Sequence, residues 1–260
     1  MKDQLQREVA EAFETTPELL PYIPELLADL WELGSSPELI IEWLRLLDLL
    51  PQSTRVLDLG CGKGGVAIRL ARELGFQVLG VDLFEPFVQD ARRRAVEMGV
   101  ADLCQFVVAD MHTTLEDAGE YDVVIYASVG RVLGSFDECI ARLRQSVRPG
   151  GFMVIDDGFL KERTALERPG YEHYAPHEET VRQLTSHGDT LLREKVLSVD
   201  EIRAIDRHFI ECIRKRAAGL ARRHPEAADL LSAYIQRQEH ECEIIEAEVS
   251  GAVWLLQRAC

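Results

Sequence analysis

The densest run of chemistry-bearing residues is Val56-Leu57-Asp58-Leu59-Gly60-Cys61-Gly62-Lys63-Gly64-Gly65. Glycines at such a turn admit left-handed backbone angles and let a ligand reach main-chain N–H groups with no Cβ in the way. A helix starting after the turn aims its free N–H groups and the positive end of its dipole at the same spot. Gly60, Gly62 and Gly65 satisfy the GxGxxG spacing of dinucleotide-binding turns. Lys63 is not a P-loop lysine, because no GK[ST] follows; the loop is expected to work through its backbone. Three carboxylates accompany the turn. Asp58 lies two residues ahead of Gly60, and Asp82 and Asp110 close the next two apolar runs. Each of the last two either meets a ligand or caps the turn or helix behind it. Asp82 stands where a ribose diol is held in nucleotide folds. Met111, after Asp110, has a polarisable thioether able to lie on an adenine ring.

These residues need a scaffold, and the runs around them describe one. RVLDLG (55–60), QVLGVD (77–82), QFVVAD (105–110), YDVVIYA (121–127) and GFMVIDD (151–157) are short, apolar and rich in Val and Ile. Helical stretches at 65–74, 86–98 and 136–146 separate them. Near-continuous apolar strands alternating with helices imply a parallel sheet covered on both faces. Ligands of such sheets sit beyond the carboxyl ends of the strands, where four of the five runs carry Asp. Residues 177–188 read as a helix, 190–198 as a strand, 199–224 and 226–248 as helices broken at His224-Pro225, and 249–258 as a strand.

The first 50 residues read as helices. Thr16-Pro17-Glu18 and Ser36-Pro37-Glu38 each offer an N-cap, a proline at the first helical position and an acid in the first turn. The expected organisation is a helical N-terminal cap over 1–50, an α/β core over 51–198, a helical insertion over 199–248 acting as a lid, and a last core strand within 249–260.

The 260 residues carry a net charge of −16, with 47% hydrophobic residues. That composition excludes a disordered tail, a collagen and a small disulfide scaffold. The acidic balance argues against a broad phosphate-binding surface, and hence against nucleic acid as partner. No apolar run approaches the ~18–20 residues that span a bilayer. The charged N-terminus lacks a signal peptide's apolar stretch. The six cysteines form no CxxC pair, so no metal is expected, and a reduced, cytoplasmic protein is the simplest expectation.

DLGCGKGG, with Asp82 and Asp110 downstream and the turn RPGG (148–151) before the fifth strand, resembles a class I S-adenosylmethionine-dependent methyltransferase. The likeness runs in order over residues ~50–160 and implies a seven-stranded, mostly parallel Rossmann-like α/β sheet whose last strand inserts antiparallel beside the fifth. It implies S-adenosylmethionine as cofactor. By position, Asp58 would fix the glycine loop and the methionine amino group, and Gly60, Gly62 and Gly64 would pass under the methionine moiety. Asp82 would accept from both ribose hydroxyls, Leu83 would pack on adenine, and Asp110 would accept from the adenine amino group. The Met111 N–H would face the ring, and Ala127 and Ser128 would lie near the sulfonium. The fourth-strand exit YASVGRV (126–132) is not the NPPY-type motif of amino-methylating enzymes acting on nucleic acids or on protein glutamine. With the acidic charge, that points to a small-molecule acceptor. The GxGxxG spacing leaves an NAD(P)-dependent oxidoreductase as an alternative, and a non-catalytic S-adenosylmethionine-binding module as another.

Methyl transfer from a sulfonium is an in-line displacement governed by positioning and exclusion of water, sometimes with removal of a proton. Candidate bases are His112, after the adenine-side motif, and Asp156 or Asp157, of which strand alternation sends one toward the pocket. Asp157 is taken with His112 as the catalytic pair. Arg131 could clamp a carboxylate or pair with Asp137 or Glu138. Tyr171, His173, Tyr174 and His177 form an aromatic–imidazole stretch that either touches substrate or packs a cap; Tyr171 and Tyr174 are taken as substrate contacts.

Overall fold

The computed structural model describes residues 2–117, 119–162, 171 and 174–260. Along the chain, α1 (Lys2–Ala12) and a short α2 (Ile23–Leu26) precede α3 (Pro37–Arg45). Strands and helices then alternate: β1 (Arg55–Leu59), α4 (Gly65–Leu74), β2 (Gln77–Asp82), α5 (Glu85–Glu97), β3 (Cys104–Val108), α6 (Met111–Asp117), β4 (Tyr121–Ala127), α7 (Phe136–Leu143) and β5 (Val147–Leu160). After them come α8 (His177–Leu184), β6 (Thr190–Val196), α9 (Val199–Arg223), α10 (Ala228–Glu248) and β7 (Val249–Gln257). The chain forms two compact units, Glu32–Leu197 with Glu248–Cys260, and Met1–Trp31 with Ser198–Ala247.

The larger unit is a seven-stranded sheet in the order β3-β2-β1-β4-β5-β7-β6. The first five strands pair in parallel, and β7 runs antiparallel to both β5 and β6. The chain winds outward from β1 in one direction through β2 and β3, then in the other through β4 and β5. This makes the β1/β4 boundary the topological switch point, where such sheets open a crevice. The strands are Val- and Ile-rich because both faces are covered. One face buries Leu57, Leu59, Val124, Tyr126, Met153, Ile155 and Trp254 in a single cluster with Phe136, Ile140 and Leu143 of α7. Burial of each large apolar side chain is worth ~1.5–3 kcal/mol. Leu59 is level with Val81 and with Tyr126, and Ala127 with Asp156, so Asp82, Gly60, Ala127 and Asp156 stand in one row across four adjacent strands.

Helix ends follow their sequence signals at two places. Ser135 with Glu138 and Ser198 with Glu201 form reciprocal capping boxes at α7 and α9. Two other starts differ from expectation. No helix begins at Pro17; turns lead into a single 3₁₀ turn over Leu20–Tyr22 and then α2. Pro21 and Pro24 lack the N–H groups that a continuous helix through this stretch needs. At α3, Pro37 is the first residue as expected, but the Ser36 side chain makes no cap bond. β3 stops at Val108, so Asp110 lies beyond the strand.

The smaller unit is helical. Ile23, Leu26, Ile210, Ile213, Ala217, Leu220, Leu231 and Tyr234 are buried in it, and α2 packs on α9. Its basic run is neutralised within the unit: Lys215 and Arg216 meet Asp29, Arg223 meets Glu25, and Arg214 lies 2.7 Å from Glu239. These residues form a solvated ion-paired face. Tyr22 stacks edge-on against His224. Among the described residues no helix is long and apolar enough to cross a membrane.

Candidate functional site

β1 leaves the sheet at Gly60, and the loop needs its glycines for two separate reasons. Gly60, Gly62 and Gly64 have φ of 68°, 51° and 75°, the left-handed region that a Cβ disfavours. A Cβ on Gly60 would stand 2.7 Å from Val129 Cγ2, and one on Gly62 would stand 3.2 Å from Leu33 Cδ1. The N–H groups of Gly60 and Cys61 donate to the Val81 carbonyl at 2.8 and 3.0 Å, which ties the loop to β2. Gly62 N–H donates to Asp82 Oδ2 at 2.8 Å, while Phe84 N–H donates to Asp82 Oδ1 at 2.8 Å. Asp82 therefore braces both the glycine loop and its own turn. With the Leu83 N–H also directed at it, the carboxylate receives three main-chain donors. Leu83, beside it, is half-buried.

Asp58 lies beneath the loop, 3% exposed. It accepts from the Ala67 N–H in the first turn of α4, and its Oδ2 has no hydrogen-bond partner. Burial first, and the Asp82 charge second, push its carboxyl up to about 7. Burial also raises Asp82, against the pull of the N–H groups of Phe84, Gly62 and Leu83. A buried acceptor with an open oxygen, next to a turn of left-handed glycines, fits a ligand that brings a cationic nitrogen to that point. Lys63 is 2% exposed, with Nζ 5.0 Å from the centre of the Phe87 ring, so its side chain is part of the packing under the loop.

Asp110 is exposed and accepts from His112 N–H at 2.8 Å through Oδ1, capping α6. Met111 is half-buried against the core cluster on the Leu57 face of the sheet. The His112 ring is turned to α7, with Arg142 Nη1 3.0 Å from Nδ1.

At the β4 exit, Ser128 is exposed with φ of 55°, a left-handed angle at a non-glycine residue, and its N–H donates to the Asp156 carbonyl at 2.7 Å. Tyr126 is buried, and its hydroxyl donates to Gly130 O at 2.7 Å and accepts from Leu133 N–H at 3.3 Å. Both ends of the 3₁₀ turn Gly130–Leu133, which carries exposed Arg131, hang on that one oxygen.

Asp156 and Asp157 at the β5 end point to opposite faces. Asp156 shares the face of Asp58, is 4% exposed, and accepts from Ser36 N–H at 2.6 Å. Burial pushes its carboxyl up to about 7, against the bonds from the Ser36 backbone and side chain. Asp157 is half-buried and accepts through Oδ1 from the Tyr174 hydroxyl at 2.6 Å and from Gly158 N–H at 2.8 Å. The rings of Tyr171 and Tyr174 meet edge-on at 5.3 Å. His177 lies at the α8 start with Nε2 2.7 Å from Glu194, and His173 is outside the described residues.

Asp58, Gly60, Gly62, Gly64 and Asp82 thus form one cluster, and Asp157, Tyr174 and Tyr171 a second. Sequence reasoning missed Leu33, Ser36 and Tyr126. Only Tyr126 left a signal, a hydroxyl inside an otherwise apolar strand. Among the described residues, no group of three or more His, Cys, Asp or Glu side chains is arranged to hold a metal ion.

A family model described as a methyltransferase domain matches residues 56–151. The chain is 35% identical over 112 residues to 2-methyl-6-phytyl-1,4-hydroquinone methyltransferase of Synechocystis sp., covering 43% of this chain and 34% of that protein. It is 37% identical over 132 residues to ribosomal protein L11 methyltransferase of Dechloromonas aromatica, covering 50% of this chain and 40% of that protein. The chain therefore spans less than half the length of these curated relatives. The crystal structure of a SAM-dependent methyltransferase from Thiobacillus denitrificans, in complex with S-adenosyl-L-homocysteine, superposes with a TM-score of 0.75 at 21% identity, over 90% of this chain and 97% of that one.

Proposed function

We propose, for a chain whose α/β unit is a class I S-adenosylmethionine-dependent methyltransferase domain, that it transfers the methyl group of S-adenosylmethionine to a small-molecule acceptor. The observation that carries the cofactor assignment is Asp58. A buried carboxylate with an open oxygen under the glycine turn suits the ammonium of a methionine moiety, and a nicotinamide dinucleotide brings no cation to that place. The bound cofactor supplies an electrophilic methyl on a sulfonium; the chain supplies position. Gly60, Gly62 and Gly64 give the methionine moiety a floor without Cβ atoms, and Asp82 accepts from the ribose hydroxyls. Leu83 and Met111 border the adenine, and Asp110 accepts from its amino group. Ser128 stands at the β4 exit beside the reacting centre.

On the acceptor side, Asp157 is the base and Tyr174 holds it. A phenol donating at 2.6 Å orients the carboxylate that takes the acceptor's proton. Tyr171 and Arg131 flank the acceptor, and His112 stands by as the second titratable group. The net charge of −16 supports a small acceptor over nucleic acid. Calorimetry with S-adenosylhomocysteine and with NAD, side by side, tests the cofactor; binding of NAD alone overturns it. Methyl release from labelled S-adenosylmethionine across a metabolite panel, with ribosomal protein and tRNA as further acceptors, tests the acceptor class. Turnover only on the macromolecules overturns the small-molecule assignment, and tight binding with no turnover favours a non-catalytic binding module.

A further inference from the structure

The segment from Leu33 to Ser36 crosses the carboxyl ends of three strands in sequence. Leu33 Cδ1 rests on Gly62 after β1, with 3.2 Å to the place of a Cβ there. Gly34, at φ of 99°, runs past Ser128 after β4, whose Oγ would be 3.3 Å from a Cβ on Gly34. Ser36 ends on Asp156 of β5, donating its N–H to Oδ2 at 2.6 Å, with its hydroxyl bonding the same carboxylate. Ser36 precedes α3, where a serine ordinarily turns its side chain onto its own helix; here it makes no such bond. The hydroxyl that could cap α3 is spent on Asp156. That carboxylate is almost wholly removed from water and sits in the same strand row as Asp82, Gly60 and Ala127. At ~4.8 Å per strand, the row places Asp156 ~14 Å from Asp82, at the far end of the crevice from the ribose position.

We propose that Leu33–Ser36 is a strap over the methionine end of the cofactor, latched by Asp156. Asp156 is a positioning residue: it acts through Ser36 and sets how long the loaded cofactor is retained. The inference rests on the methyltransferase assignment above. At its Ser36 end the strap is held both by α3, whose Ile40 N–H donates to the Ser36 carbonyl at 3.1 Å, and by a carboxylate 120 residues away. Its middle is an exposed glycine in a left-handed conformation. Its first residue, Leu33, packs on the side of Gly62 where a Cβ would stand. A segment with those three properties can lift from Gly62 and return without unfolding α3 or the sheet.

The test uses the full chain and S-adenosylhomocysteine as probe, with the variants Asp156→Ala, Asp156→Asn and Gly34→Val. Amide hydrogen exchange of Gly34, Ser35 and Ser36 is followed in the free protein, and the S-adenosylhomocysteine dissociation rate by stopped flow. Asp156→Ala is expected to speed exchange at Ser36 and to raise the dissociation rate about tenfold, with the association rate unchanged or higher. Asp156→Asn, whose amide oxygen still accepts from the Ser36 N–H, is expected to fall between it and wild type. Gly34→Val strains the strap from its exposed middle and is expected to give the same change with α3 and Asp156 intact, so it serves if Asp156→Ala does not fold. A folded Asp156→Ala or Gly34→Val protein with both rates within twofold of wild type overturns the latch. So does faster exchange with unchanged dissociation, because the strap then does not cover the ligand. If wild type itself fails to bind S-adenosylhomocysteine, the cofactor assignment fails instead, while the Ser36 exchange in Asp156→Ala still reports on the latch.

Discussion

The acids at the ends of β1 and β2 and those at the end of β5 are held in different ways. Asp58 and Asp82 are gripped by main-chain N–H groups close by: Ala67 for the first, Gly62 and Phe84 for the second. Asp156 and Asp157 are gripped from a distance, by Ser36, 120 residues away, and by Tyr174, 17 residues away. The first arrangement is rigid and belongs to the turn itself. The second is assembled from pieces far apart along the chain, and the two β5 acids face opposite sides of the sheet.

The largest effect is expected where the backbone grip is broken. Gly60→Val puts branches into the space of Val129 and demands a left-handed angle from a β-branched residue. S-adenosylhomocysteine affinity is expected to fall about a thousandfold or more, roughly 4 kcal/mol, by calorimetry. Asp82→Ala should follow, with affinity ten- to a thousandfold lower if the carboxylate makes the two charge-assisted bonds to the ribose proposed above. It also frees Gly62 N–H and Phe84 N–H, so melting is expected to come down by several degrees, with Asp82→Asn intermediate in both. Equal affinity in a folded Asp82→Ala protein would remove the ribose role.

Asp58 gives the comparison a pH dependence. With its carboxyl near 7 in the free fold, an ammonium ligand must hold it ionised, so binding below that pH expels a proton. Affinity for S-adenosylhomocysteine is expected to fall as pH is lowered from 7 toward 5, by at most about tenfold per unit. In the free protein the sign is opposite. An acid raised on folding stabilises the fold at low pH, and that contribution is lost as pH rises from the unfolded value through about 7. Asp58→Asn should flatten both curves; curves that keep their slope place the titration at Asp156.

Asp157 and Tyr174 should respond on the other axis. Asp157→Asn and Tyr174→Phe are expected to lower kcat/KM for the acceptor about ten- to a hundredfold with S-adenosylhomocysteine affinity within twofold. A parallel loss of cofactor affinity would merge the two halves into one site. The smallest effect on binding is expected at Lys63→Ala. Its buried ammonium over Phe87 contributes packing, so melting should drop by a few degrees while affinity stays within about threefold.

What the sequence revealed follows the same line. Val- and Ile-rich runs announce strands because a parallel sheet buries both faces, and DLGCGKGG announces its turn because only glycine takes those angles. Asp82 could be placed at its strand end by counting alone, whereas β3 stops at Val108 and leaves Asp110 beyond it. The cap at Asp110, with α6 behind it, rests on a single local bond that the run QFVVAD does not announce. Ser36 reads as an N-cap because Pro37 and Glu38 follow it, and nothing local shows that a carboxylate 120 residues on takes its hydrogen bonds. Nothing local to Lys63 shows its burial either, because the aromatic ring beside its ammonium comes from α5.

The position of β7 has a consequence for how the chain acquires its shape. It is the last strand along the sequence, yet it lies inside the sheet, with β5 on one side and β6 on the other. Between β6 and β7 the chain builds Ser198–Ala247 of the helical unit, whose remaining piece, Met1–Trp31, was made first. Neither unit can be completed in one uninterrupted stretch of synthesis. During translation β6 waits as an unpaired edge until α9 and α10 have emerged, and α1 and α2 wait even longer for their partners. Edges left open so long are where chains stick to one another or to chaperones. Fluorescence of Trp254, buried at the centre of β7, should report this final insertion as a slow step in refolding.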